Sequence, residues 1–122
     1  PLYLDLGRVE VMASVNVNGK ELGIVWKRPF RIAIADAARP GANALVLRVV
    51  NLWPNRMIGD EHLPPDSDRN ESGALEQWPQ WMLENKPSPT GRYTFATWRH
   101  WSTDDALVPS GLLGPVTLLI EE

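Results

Sequence analysis

The sequence predicts an all-β domain, an antiparallel β-sandwich, on three observations. Apolar residues recur at alternate positions in several separate runs, Asn18-Gly19 lies between two of those runs, and Pro and Gly interrupt the chain before any helix could grow long. At 122 residues the chain has room for one domain.

The elements follow in order. Leu2, Leu4 and Leu6 alternate with Tyr3 and Asp5, the period of a half-buried strand. From Val9 the alternation is strict: Val9, Val11, Ala13, Val15 and Val17 share one face, while Glu10, Ser14, Asn16 and Asn18 share the other, Met12 being the apolar exception. Asn18-Gly19 suits a type I′ turn, whose two central residues need positive φ, so residues 21–26 are expected to return as the second arm of a hairpin. Pro29 breaks the run, and Phe30, Ile32 and Ile34 resume it. Residues 36–39 allow one helical turn before Pro40-Gly41 stops it. Residues 44–53 are apolar on both faces and read as a long buried strand, the central one of the fold.

Residues 54–91 keep neither period and hold 6 of the 11 prolines, so they read as one long irregular loop within the domain. Trp78, Trp81 and Met82 argue that this loop is packed, because disordered segments are poor in aromatics. Residues 92–100 and 116–120 read as the last two strands. The expected core is Val15, Val17, Ile32, Ile34, Leu45, Leu47, Val49, Val116 and Leu118. A chain that starts at Pro1 is read as cut from something larger.

Charge and composition exclude several functions. The 12 basic and 15 acidic residues give a net charge of −3, which provides no broad attraction to nucleic-acid phosphates or to an anionic membrane. With no Cys there is no disulfide framework, thiolate metal site or cysteine nucleophile. No apolar run approaches the roughly 20 residues of a membrane-spanning helix. Residues 1–61 carry 8 basic and 6 acidic groups, whereas residues 62–122 carry 4 and 9. Arg outnumbers Lys by 9 to 3, and 6 Trp stand against 2 Tyr and 2 Phe, a bias towards the residues that hold partners.

Several blocks of sequence are familiar. Leu4-Asp5-Leu6-Gly7-Arg8-Val9, Val15-Asn16-Val17-Asn18-Gly19-Lys20-Glu21-Leu22-Gly23, Trp26, Pro29-Phe30-Arg31, Pro40-Gly41-Ala42-Asn43-Ala44-Leu45 and Val50-Asn51-Leu52-Trp53-Pro54-Asn55-Arg56 resemble the sugar-binding jelly-roll domain of family-two-type glycoside hydrolases. Ile58-Gly59-Asp60-Glu61 and Pro109-Ser110-Gly111-Leu112-Leu113-Gly114-Pro115-Val116 are more similar to the C-terminal domain of large α-L-rhamnosidase-like hydrolases. The resemblance implies a galactose-binding-like jelly-roll sandwich that accompanies a neighbouring catalytic domain without cleaving sugar itself, in a secreted or periplasmic enzyme. It also implies a carbohydrate partner, a plant or bacterial polysaccharide. Asn18-Gly19 and residues 40–43 are explained as turn requirements, and Trp26 and Trp53 as core or sheet-rim packing.

A sugar offers apolar C–H faces and hydroxyl edges, so its site needs a flat aromatic beside planar polar groups. Three clusters supply both. Trp53, Asn55 and Arg56 run into Asp60 and Glu61 where a buried strand opens into the long loop; Trp98, Arg99, His100, Trp101 and Asp104 end the strand that follows it; Trp78 and Trp81 would form the wall. The competing explanation is a small core in which the loop tryptophans bury themselves. A hydrolase would need two carboxyls roughly 5–10 Å apart across a cleft, and only Glu61 opposite Asp104 is conceivable. No cofactor is expected, apart from a possible structural calcium: Asp66, Asp68 and Asn70 occupy positions one, three and five of a calcium loop, but Glu71 stands where that loop needs Gly and Gln77 where it needs Glu. The rival function is a purely structural sandwich that buttresses a catalytic domain, and a stand-alone glycosidase is the third.

Overall fold

The structure, a computed structural model, describes all 122 residues and divides into two compact units. One comprises Pro1–Leu52 and Pro109–Glu122, the other Trp53–Val108.

The first unit is built of strands, all paired antiparallel. They are β1 (Leu2–Asp5), β2 (Arg8–Glu10), β3 (Met12–Val17), β4 (Lys20–Val25), β5 (Arg31–Ala33), β6 (Leu45–Val50), β7 (Gly111–Gly114) and β8 (Thr117–Ile120). The sheets run β5-β1-β8, β4-β3-β6 and β2-β7. Strict alternation in β3 puts Ala13, Val15 and Val17 into a buried cluster with Leu4, Leu6, Val9, Val25, Phe30 and Ile34. Asn18 and Gly19 take φ of 52° and 84° and close the β3–β4 hairpin as their chemistry requires. The Asn18 amide does more than turn the chain. It donates to the carbonyl of Ala37 and to Asn43 Oδ1 and accepts from the Ala44 amide, all at 2.8–2.9 Å, which fixes the residue 40–43 turn against the hairpin.

Several expectations are corrected. The run from Val9 to Val17 is two strands, because β2 pairs with β7 whereas β3 pairs with β4 and β6. The strand at residues 44–53 is shorter, β6, and lies at a sheet edge, so β3 is central. Val46 and Val50 on its outer face are 60% and 49% exposed. Three of the nine expected core residues, Leu45, Val116 and Leu118, are exposed; with Leu2, Leu4, Val17 and Ile34 they line an open apolar groove of about 490 Å³. Alternation states which face a residue is on, not whether anything covers that face. Of the other expected core residues, Val15, Val17 and Ile34 are buried, and Ile32, Leu47 and Val49 pack partly against the cluster. Strand β7 was not expected; two of its four residues are Gly, which sequence reasoning reads as punctuation.

The second unit contains the remaining corrections. The loop expected at 54–91 holds two helices, α1 (Pro54–Asp60) and α2 (Gln80–Leu83). Pro54 stands in the first turn of α1, where its missing N–H costs nothing, but 7 residues are too few to display a 3.6-residue period. The strand expected at 92–100 is absent. Its backbone pairs too sparsely for a strand: the Tyr93 and Thr94 amides donate to Asp60 Oδ2, and the Arg99 amide to Gly73 carbonyl bond belongs to an isolated antiparallel bridge between Ala74 and Trp98.

Candidate functional site

The sequence-predicted residues fall into three groups within the second unit. In the first group, Asp60, Asn55 and Arg56 hold the unit together, while Trp53 and Asp104 are exposed. Asp60 is 3% exposed, and its Oδ2 accepts from the Tyr93 amide (2.9 Å), the Thr94 amide (2.7 Å) and the Thr94 hydroxyl (2.7 Å). Burial by itself pushes the Asp60 pKa up, but the Thr94 and Tyr93 hydrogen bonds and the nearby Arg56 charge outweigh it, and the net shift is downwards. The expectation that Asp60 lines a ligand surface is therefore corrected: it is an internal anchor. Asn55 donates to the Val108 carbonyl and accepts from the Val108 amide, both at 2.8 Å, pairing the two ends of the unit. Arg56 lies 3.9 Å from the Tyr93 ring centroid, a cation–π contact. Trp53 is the residue before α1 and is 63% exposed. Asp104 is exposed in a turn, its amide donating to Ser102 Oγ.

The second group meets in one polar cleft. Glu61, Trp98, Arg99, His100 and Trp101 line it together with Arg69, Arg92 and Asp66, so of the first predicted cluster Glu61 alone meets the second, without Asp104. Arg92 organises its floor: Nε donates to the Pro64 carbonyl, Nη2 to the Leu63 carbonyl and Nη1 to Glu61 Oε1 at 3.1 Å. Those carbonyls lie in the segment just after α1, so Arg92 ties that segment down. Arg69 donates to the carbonyls of Gly73 and Ala96. Burial, reinforced by the Arg99 charge, lowers the Arg69 pKa, with Asp66 and Glu61 opposing; a guanidinium stays charged regardless. The cleft measures about 30 Å³, room for one water-sized group and not for a sugar ring. Glu61, held between Arg92 at 3.1 Å and Arg99 at 3.6 Å, is an ion-pair partner.

Trp78 and Trp81 form the third group. Their rings sit 6.0 Å from Phe95, Trp78 tilted by 31° and Trp81 edge-on at 84°. Trp81 is partly buried, and its Nε1 donates to the Asp66 carbonyl at 2.7 Å. Trp78 is 55% exposed and borders an open concavity of about 520 Å³ with Asp68, Gln77, Gln80, Pro65 and Pro79. Gln77 Nε2 donates to Asp68 Oδ2 at 2.9 Å, so a carboxylate and an amide are joined on the lining they share with Trp78. This volume lies within the range of ligand sites, unlike the polar cleft. Gln77 and Gln80 were missed by sequence reasoning. Their signal was their place on either side of Trp78, an aromatic flanked by amides, in a segment read only for its tryptophans.

The residues of the calcium pattern have other partners. Asp66 Oδ2 accepts from Ser88 Oγ, Asp68 Oδ2 from Gln77, and Asn70 Oδ1 from the Ser72 and Ala74 amides. No three His, Asp or Glu side chains converge.

The chain is 48% identical over 117 residues to a protein of Formosa agariphila named "Putative beta-glucuronidase", a match that covers 96% of this chain and 10% of that protein. The solved structure of a rhamnosidase from Novosphingobium sp. PP1Y superposes with a TM-score of 0.70 at 37% identity, covering 96% of this chain and 9% of the other. The chain thus corresponds to a small part of larger glycosidase-like chains. No protein-family model matches it.

Proposed function

We propose that this chain is a non-catalytic, carbohydrate-associated part of a larger glycoside hydrolase, and that it meets glycan at the Trp78 concavity. The observation that carries this reading is the mismatch in coverage: nearly the whole chain is matched, against about a tenth of each glycosidase-like protein. The first unit, with its three antiparallel sheets, is read as the galactose-binding-like jelly roll that the sequence blocks resemble. Trp78 supplies a flat face for C–H stacking, and Gln77, Asp68 and Gln80 supply donors and acceptors for hydroxyls. The carboxyls favour a non-catalytic role, since Asp60 is buried and Glu61 is ion-paired.

Titration of the purified chain against a panel of plant and bacterial polysaccharides tests the reading. Binding is expected, and Trp78→Ala is expected to weaken it by about 1–3 kcal/mol with little change in Tm. If no glycan binds, or if Trp78→Ala binds as tightly as the parent, the concavity is not a sugar site. A structural buttress is the second reading, favoured by the open apolar groove around Leu45, Val116 and Leu118.

A further inference from the structure

Register in the first unit puts several exposed apolar side chains on its core side. In the β1–β8 pair Leu4 stands opposite Leu118, and Leu2 opposite Ile120. Residues directly opposite in an antiparallel pair share a face, and Leu4 is buried in the core at 4% exposure. Leu118 and Ile120 are therefore on the core side of their sheet, although they are 63% and 80% exposed. In the second three-stranded sheet Leu45 stands opposite the buried Val17 and is itself exposed. The apolar groove that Leu45, Val116 and Leu118 line is thus a stretch of the core left open beside β6 and β8, the end strands of their sheets.

The edge of β8 is also undefended. Each three-stranded sheet ends on strands paired on one side only, β5 and β8 in one, β4 and β6 in the other. Strand β4 carries Lys20 and Glu21, β5 carries Arg31 and β6 carries Arg48, whereas Thr117-Leu118-Leu119-Ile120 has neither a charge nor a proline. Charges and prolines are what discourage a further strand from pairing with a free edge, and β8 has none. A row of free N–H and C=O groups beside an apolar groove suits one kind of occupant. An added strand pairs its main chain with the edge while every second side chain enters the groove.

We propose that β8 is extended by a strand from elsewhere in the parent enzyme, uncharged and with Val, Leu or Ile at alternate positions, whose side chains fill the groove. The proposal rests on reading the chain as part of a larger glycoside hydrolase and is independent of the Trp78 concavity. That reading supplies the occupant, since the matches cover only 10% and 9% of the two glycosidase-like proteins and the rest of such a chain is available to furnish a strand. The connection is short as well. The Glu121 amide donates to the Pro1 carbonyl at 3.1 Å, so a strand joined at either end starts from the β1–β8 pair.

Thiol labelling with a maleimide tests the assignment, because the chain has no Cys and L118C is a unique reporter of the groove. Each rate is referred to that of the same protein in urea, so the parent result stands whether or not the 122-residue chain folds alone. In the parent enzyme L118C is expected to react roughly tenfold or more slower than in urea, since the thiol is reached only when the added strand opens, and in the 122-residue chain about as fast as in urea. Amide exchange of the proteins without the substitution is the second measurement. Residues 117–120 should exchange roughly tenfold or more slower in the parent than in the 122-residue chain, as a hydrogen-bonded edge requires. A thiol in the parent as reactive as in urea overturns the proposal. So does a protected thiol without slower amides, which denotes a cover of side chains and not a strand. Protection in the 122-residue chain that grows with its concentration denotes a second copy in the groove and overturns it too. The mass of the natural protein checks the larger-enzyme reading by itself, and the polysaccharide titration checks the glycan site.

Discussion

At the scale of single residues, Asp60 governs the second unit. One carboxylate oxygen accepts three hydrogen bonds from Tyr93 and Thr94, residues more than thirty positions away, at 3% exposure. Asp60→Ala leaves those donors without a partner and should cost about 3 kcal/mol; Asp60→Asn retains an accepting oxygen but loses the charge and should cost about 1–2 kcal/mol. Chemical denaturation of the two variants beside the parent measures both. The pH dependence has a definite sign. The folded pKa of Asp60 lies below its ordinary value, so its contribution is present above about pH 4 and is lost as pH falls through the lower folded pKa. Acid titration of stability should therefore be shallower below pH 4 for Asp60→Asn than for the parent, and identical slopes would remove Asp60 from the account. The two loop tryptophans diverge for a similar reason. Trp81 donates to the Asp66 carbonyl and meets the Phe95 edge, so Trp81→Ala should lower stability by about 2 kcal/mol or more, whereas the more exposed Trp78 should have a smaller effect on stability than on glycan binding.

At the scale of elements, turns and hairpins were readable because their requirement is local. Asn18-Gly19 states its own φ values, and Asn43 closes its own turn by accepting from the Arg39 amide and donating to the Arg39 and Gly41 carbonyls. Gly7 differs from Gly19 although both have positive φ. A Cβ on Gly19 would meet nothing within 4 Å, while one on Gly7 would lie 2.4 Å from the Gly114 carbonyl carbon. Gly19→Ala should thus cost only backbone strain, about 1 kcal/mol, and Gly7→Ala at least about 3 kcal/mol, since main chain must move. Thermal melts of the two variants check this order, and similar midpoints would refute it. Helix α1 and strand β7 were missed because each is short and each is flanked by Pro or Gly, the residues that usually end an element.

At the scale of the whole molecule, the open apolar groove of the first unit yields a contrast in core energetics. Leu6 is 0% exposed and Leu118 is 63% exposed, although both lie in apolar positions of alternating runs. Leu6→Ala should destabilise by about 3 kcal/mol or more, and Leu118→Ser by less than about 0.5 kcal/mol. A large loss from Leu118→Ser in denaturant unfolding would mean that the groove is filled in the isolated chain.

Periodicity, turn chemistry and the count of Trp and Arg were legible in the sequence because each depends on near neighbours along the chain. From them came the antiparallel strands, the hairpin and most of the cluster around Val15 and Val17. The candidate site was legible in part: Trp98, Arg99, His100, Trp101 and Glu61 do share a cleft, as their placement at two chain segments suggested. Tertiary structure alone decided that Asp60 faces inward, that Arg92 serves carbonyls and Glu61 while Arg99 only pairs loosely with Glu61, and that a concavity of ligand size lies at Trp78. Those outcomes depend on which distant groups compete for the same donors and acceptors, and on what covers each face. Spacing along a chain carries no record of either.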